Sequence, residues 1–218
     1  MKLSEWQRTP KNSAEIILQA STRDGLDGWT PFPIGMGWGW EANKNMSLIG
    51  DHSKTVLCAI STHTDKHRRS RGIDRERIVN TLKANNIPNI SLSTDQYFAT
   101  LPSYKFVVSP EGNGIDCHRH YEALMAGCIP ILERNPLTEQ KYKGCPVLWT
   151  TDYSEITEDY LLKKYDEMID QEYDFSALFI SSYPPHIRGQ IKANSNFWMK
   201  KLAGKPFYQN KLLPFLKI

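Results

Sequence analysis

From residue 55 onward, short unbroken apolar runs alternate with segments of helical periodicity. No other feature restricts the fold as strongly. The runs are TVLCAIS (55–61), NISLS (89–93), KFVVS (105–109), CIPILE (128–133) and CPVLWT (145–150). Each is strand-length and apolar throughout, the pattern of strands covered on both faces. The segments between them read as helices over 72–86, 93–104, 116–127, 154–171 and 184–204. Asp74 is a candidate N-cap for the first, with Ile73, Ile78, Val79 and Leu82 as its apolar positions. Asp116 is the candidate cap of the 116–127 helix and Gly127 its end; Pro184 and Pro185 open the last and Gly204 closes it. Strand–helix alternation of this kind predicts an α/β fold: a Rossmann-like parallel sheet with helices on both faces.

Residues 1–54 are different. AEIIL (14–18) fits a strand or the start of a helix, and the Gly-, Pro- and Trp-rich stretch 28–45 reads as irregular. GMGWG (35–39) lacks the preceding strand and following helix of a phosphate loop. Trp29, Trp38 and Trp40 fit either packing onto a sheet or a stacking platform for a sugar ring. The expected organisation is an irregular segment over 1–54 followed by a Rossmann-like domain over 55–218.

A net charge of +3 does not mark a nucleic-acid or membrane-surface protein. Four cysteines form no CxxC pair; Cys58, Cys128 and Cys145 lie in or beside apolar runs and read as buried thiols of a reducing compartment. No stretch resembles a signal peptide or approaches the ~20 apolar residues of a membrane span. A soluble, cytoplasmic protein is the expectation.

In open α/β sheets ligands bind at the carboxyl ends of strands. Two loops there concentrate charge. The first follows 55–61 and holds Lys66, Arg68, Arg69, Arg71, Arg75 and Arg77. It is a solvated surface loop or a polyphosphate clamp, since guanidinium groups match phosphate oxygens and the helix start adds positive charge. Without interleaved aromatics, a nucleic-acid patch is the weaker reading. Arg75 and Arg77, in the first helical turn, are the best placed. The second loop is PEGNGID (110–116), whose glycines let backbone N–H groups approach a ligand closely. Beyond it come His118, Arg119 and Glu122. Arg119 and Glu122, three apart, share one side of a helix. They form a structural ion pair, or they hold a nucleotide, the carboxylate on a ribose diol and the arginine on a phosphate or base carbonyl. Neither hydrolase nor metal chemistry fits: there is no GxSxG elbow, Cys117 and His118 are adjacent, and His118 and His120 diverge around a helix.

YKFVVSPEGNGIDCHRHYEALMAGCIPIL resembles the donor-binding segment of exostosin-like glycosyltransferases. The matching positions are Phe106, Ser109, Pro110, Gly112, Arg119, Glu122, Ala123, Gly127, Cys128, Ile129 and Pro130. The segment is more loosely similar to the donor motif of α1,3-fucosyltransferases, with an acid at Glu111. The resemblance implies the C-terminal half of a GT-B fold and metal-independent, inverting sugar transfer from a nucleoside diphosphate, UDP before GDP, to a glycan acceptor. No cofactor is implied; the nucleotide-sugar is a substrate.

The same resemblance assigns the phosphates to Arg75, Arg77, Arg119 and the backbone of Gly112, Asn113 and Gly114. It assigns the ribose to Glu122, a flanking contact to His118 and a sugar contact to Glu111. In two-domain relatives the general base comes from the other domain, which makes Asp24, Asp27, Glu41 and His52 the candidates. The resemblance further implies that 55–218 is the nucleotide-sugar-binding domain and that the cleft is completed either by 1–54, as a reduced acceptor side, or by another domain or chain. The compact length is similar to that of glycosyltransferases of large DNA viruses, which implies a viral source. A non-catalytic nucleotide-sugar-binding module and a polyanion- or RNA-binding protein are the alternatives.

Overall fold

Two sheets form, both parallel. The structure, a computed structural model, describes residues 17–19, 29–31, 33–35, 51–65 and 73–194. Strands β1 (Ile17–Gln19) and β2 (Trp29–Pro31) pair with Ile17 opposite Trp29. The second sheet has the order β3 (Lys54–Leu57), β4 (Tyr104–Val108), β5 (Ile129–Glu133), β6 (Leu148–Thr150), all parallel. The helices among the described residues are α1 (Arg75–Ala84), α2 (Thr94–Thr100), α3 (His118–Met125), α4 (Pro136–Lys141), α5 (Glu158–Ile169) and α6 (Pro185–Asn194). The α/β, Rossmann-like expectation holds.

Local signals account for most boundaries. Asp74 caps α1, its carboxylate accepting from Arg77 N at 2.8 Å. Ser93 and Gln96 make a reciprocal capping box at α2. Gly127, at φ +75°, supplies the left-handed turn after α3, and Cys128 N returns to Ala123 O. The sequence gives no sign of α4, whose six residues are too few to show a period and begin with proline.

Side-chain alternation covers both faces of the sheet. On one face Val56, Cys58, Phe106, Val108, Ile129, Ile131 and Leu148 pack with Ile78 and Leu82 of α1 and Leu161 of α5. Tyr165 of α5 meets Phe106 edge-on at 5.9 Å. The residues of opposite parity, Leu57, Val107 and Leu132, are equally buried, as are Phe98 of α2 and Ala123 of α3.

One expected strand is absent. Residues 87–93 run without regular structure beside the end of β3. Ile90 N donates to Cys58 O at 2.9 Å, and the Asn89 side chain replaces further ladder bonds, accepting from Ile60 N and donating to Ile60 O. Since β4 takes one flank of β3, this segment takes the other. The chain therefore leaves β3 outward through α1 and returns through α2 to β4. The loops after β3 and β4 part at that reversal, the topological switch where ligands of open α/β sheets bind.

The chain divides into two compact units, Met1–Lys141 with Pro146–Glu172, and Tyr142–Cys145 with Tyr173–Ile218. The division does not follow the expected boundary near residue 54. The strands among the described residues lie in the first unit. In the second, Asp174 N donates to Gly144 O, and Gly144 sits at φ +90° where an added Cβ would come within 2.8 Å of Asp174 O. Two 3₁₀ turns, Ser176–Leu178 and Ile180–Ser182, lead to α6.

Candidate functional site

Arg75 opens α1 at the switch, yet it faces the protein. Only 6% of it is exposed. Its Nε donates to Glu111 O at 2.8 Å, Nη2 to Pro110 O at 2.9 Å and Nη1 to Ser61 O at 3.1 Å. Asp65 accepts from its backbone N at 2.9 Å. The guanidinium thus ties the loop after β3 to the loop after β4 through three carbonyls that irregular loops leave without ladder partners. Burial pulls its pKa below the ordinary arginine value. The expectation of a phosphate contact is corrected: these donors already have acceptors. Arg77, one turn along, is exposed.

The glycine loop serves the same clamp. A Cβ on Gly112 would lie 3.0 Å from Arg75 Nη2 and 3.3 Å from Cys117 Sγ, so a side chain would crowd the guanidinium. Gly112 N donates to Gly114 O, which closes the loop on itself and turns that N–H away from a ligand. Glu111 is buried; its N–H donates to Glu133 Oε2, and its carboxylate accepts from Asn135 Nδ2 at 3.2 Å. The expected sugar contact is therefore an internal strut. Asn113 stays exposed at the loop tip.

Asp116 is not the cap of α3. Cys117 holds that position and makes no side-chain cap bond. Burial pushes the Cys117 thiol up to about 11, so it is protonated at neutral pH. Asp116 instead forms a buried ion pair with Lys141 at 2.8 Å, the two side chains 0% and 2% exposed. Tyr121 Oη and Ile34 N donate to the same carboxylate oxygen. A buried charge is tolerated when paired and hydrogen-bonded in this way. His118 Nδ1 meets Gly35 O at 2.7 Å on the surface, while His120 is fully buried with Nδ1 2.7 Å from Ser109 Oγ. Burial lowers the His120 pKa to about 4. Asp116, His118 and His120 thus turn to three different partners.

Arg119, in the first turn of α3, is the opposite of Arg75. Its Nε and Nη1 are buried and have no hydrogen-bond partner. The ion pairs among the described residues are Arg134–Glu139, Lys141–Asp116 and Lys164–Glu167, so the Arg119–Glu122 pair that the spacing allows does not form. The guanidinium lies over the Tyr97 ring, 5.3 Å from its centroid. Its charge is felt at Cys58, beyond the end of β3, and at Arg75, which places it at the switch. Glu122 is buried on the next turn, within electrostatic reach of Tyr97. Tyr97 went unmarked in the sequence because an aromatic in a short helix reads as core. Glu133 lies at the end of a core run and went unmarked for the same reason.

Of the candidate bases, Asp24, Asp27 and Glu41 lie outside the described residues, as do Trp38, Trp40 and the basic residues Lys66, Arg68, Arg69 and Arg71. His52 precedes β3, with φ +47°, its Nε2 3.2 Å from Ala126 O at the far end of α3 and its own carbonyl accepting from Lys105 Nζ. It therefore sits at the amino edge of the sheet. An eight-residue α3 is about 12 Å long, and that length separates His52 from the switch. As a base acting there, His52 is corrected.

The switch brings together features that suit an anion: an arginine whose Nε and Nη1 lack acceptors of good geometry, the field of a second arginine, and the start of a helix. No protein-family model matches the chain, and no curated protein matches it significantly.

Proposed function

We propose that the chain is a nucleotide-sugar-dependent glycosyltransferase, acting without a metal on a UDP-sugar, or secondarily a GDP-sugar, and a glycan acceptor. The reading rests on the resemblance over residues 104–132. The single observation that carries it is the Arg119 guanidinium at the topological switch, its Nε and Nη1 without acceptors of good geometry, one turn before the buried Glu122. A leaving diphosphate gains negative charge as the glycosidic bond breaks, and a preorganised cation there lowers the barrier. Arg119 is proposed for the diphosphate and Glu122 for the ribose.

A thermal-shift panel of UDP- and GDP-sugars, followed by nucleotide release with glycan acceptors, tests the reading. One donor should raise the melting temperature and be turned over, and Glu122→Ala should weaken its binding. If no donor shifts the protein, the reading is lost.

The position of His52 favours a second reading, a nucleotide-sugar-binding module whose base comes from a partner domain. Stabilisation by a donor without nucleotide release, with or without acceptor, would select it.

A further inference from the structure

We infer that Tyr97 and Arg119 together form a phosphoryl-binding site, in which the Tyr97 hydroxyl donates to the same anion as the Arg119 guanidinium. Tyr97 is 8% exposed, and the group that interacts with its Oη is the Arg119 side chain, which can only donate, so the hydroxyl proton has no acceptor. Phenylalanine would fill the same volume without stranding a hydroxyl, yet the chain carries tyrosine there. Arg119 Nε and Nη1 are stranded in the same way, over the Tyr97 ring. Two helices, α2 before β4 and α3 after it, thus bring together an arginine and a tyrosine whose only mutual contact leaves the hydroxyl proton and guanidinium N–H groups without a carbonyl or carboxylate acceptor.

Buried donors without acceptors destabilise the free protein, and an incoming acceptor relieves that cost. The required ligand is an anion with several oxygens. Arg75, whose charge adds to that of Arg119, favours more than one negative charge and so a phosphoryl group over a carboxylate. Arg119 is partly exposed, but its Nε and Nη1 and the Tyr97 Oη are covered, so an anion reaches them by displacing what covers them. The inference deepens the preceding reading and rests on it only for assigning the phosphoryl group to a nucleoside diphosphate.

The test uses the full chain at low salt with inorganic pyrophosphate, UDP and uridine as probes, read by melting temperature and calorimetry. Pyrophosphate and UDP should both stabilise the wild type, and uridine should do so far less. Tyr97→Phe should raise the melting temperature of the free protein while weakening pyrophosphate roughly tenfold, the effect of one lost charge-adjacent hydrogen bond. Arg119→Met should abolish the shift.

The combination of a more stable free protein and weaker binding is what a purely structural tyrosine would not give. If Tyr97→Phe lowers the melting temperature, the hydroxyl has a partner inside the protein and the inference falls. It falls equally if pyrophosphate gives no shift, or shifts wild type and both variants alike. Should pyrophosphate depend on both residues while no nucleotide-sugar is bound or turned over, the site stands and the glycosyltransferase reading falls. Donor turnover that Tyr97→Phe leaves unchanged would leave the transferase reading standing and remove this one.

Discussion

Arg75 and Arg119 occupy matching places. Each lies in the first turn of a helix that follows a strand of the switch, and by sequence each is an equally good phosphate contact. Arg75 donates to three backbone carbonyls, and Arg119 has two N–H groups with no acceptor. The difference lies in what surrounds them. The loops after β3 and β4 turn Ser61, Pro110 and Glu111 carbonyls toward Arg75, and buried carbonyls take whatever donor reaches them. Arg119 projects instead over the Tyr97 ring, which attracts its charge and offers at most one hydroxyl oxygen in place of three carbonyls. Residue type and place in a βα unit therefore do not separate a structural arginine from one poised for a ligand. The separation lies in the acceptors within reach.

The largest effect expected from this contrast is on folding. Arg75→Ala takes the donor from three carbonyls, two of them buried, and should cost about 3–5 kcal/mol in urea unfolding. Lysine should rescue little, because a point charge cannot span carbonyls from two loops. A loss below about 1 kcal/mol would put the two arginines on the same footing and end the comparison.

Second is a pH effect from the same loop and helix. His120 titrates at about 4 when folded, because burial disfavours its charge, and near 6.5 when unfolded. The unfolded chain therefore takes up its proton first as pH falls. The stability this neutral histidine contributes is complete above about pH 6.5 and declines toward pH 4, by up to about 3 kcal/mol. Unfolding curves across that window should show the slope, and His120→Gln should flatten it; an unchanged slope would mean other groups govern the acid transition.

Third, Gly112→Ala should cost about 1–3 kcal/mol by crowding the clamp, and most of that cost should vanish in an Arg75→Ala background. Additive costs in this double-mutant cycle would show that the glycine answers to something other than Arg75. The smallest effect belongs to Arg119→Met, expected within about 0.5 kcal/mol of wild type or slightly stabilising. A loss close to that of Arg75→Ala would show Arg119 holding the fold as well.

Much of the fold is legible in the sequence because its signals are local. The apolar runs at β3 to β6, the caps Asp74 and Ser93, and Gly127 each act within a few residues. What escapes is long-range. Asp116 looks like a cap, and only Lys141, 25 positions later, makes it a buried counter-ion. NISLS has strand composition, but the Asn89 side chain substitutes for the ladder. The site is legible in part. Position marks Arg119 and Glu122, but the commitments of Arg75, Glu111 and Gly112 depend on contacts between loops, and Tyr97 carries no signal that distinguishes it from core.

The Asp116 carboxylate has a kinetic consequence. It receives the N–H of Ile34 across a separation of 82 residues. Closing a loop that long costs entropy, and the reward exists only after α3 and α4 have brought Asp116 and Lys141 together. Attachment of residues 33–35 is therefore expected late in folding, so that Asp116→Asn should speed unfolding more than it slows refolding.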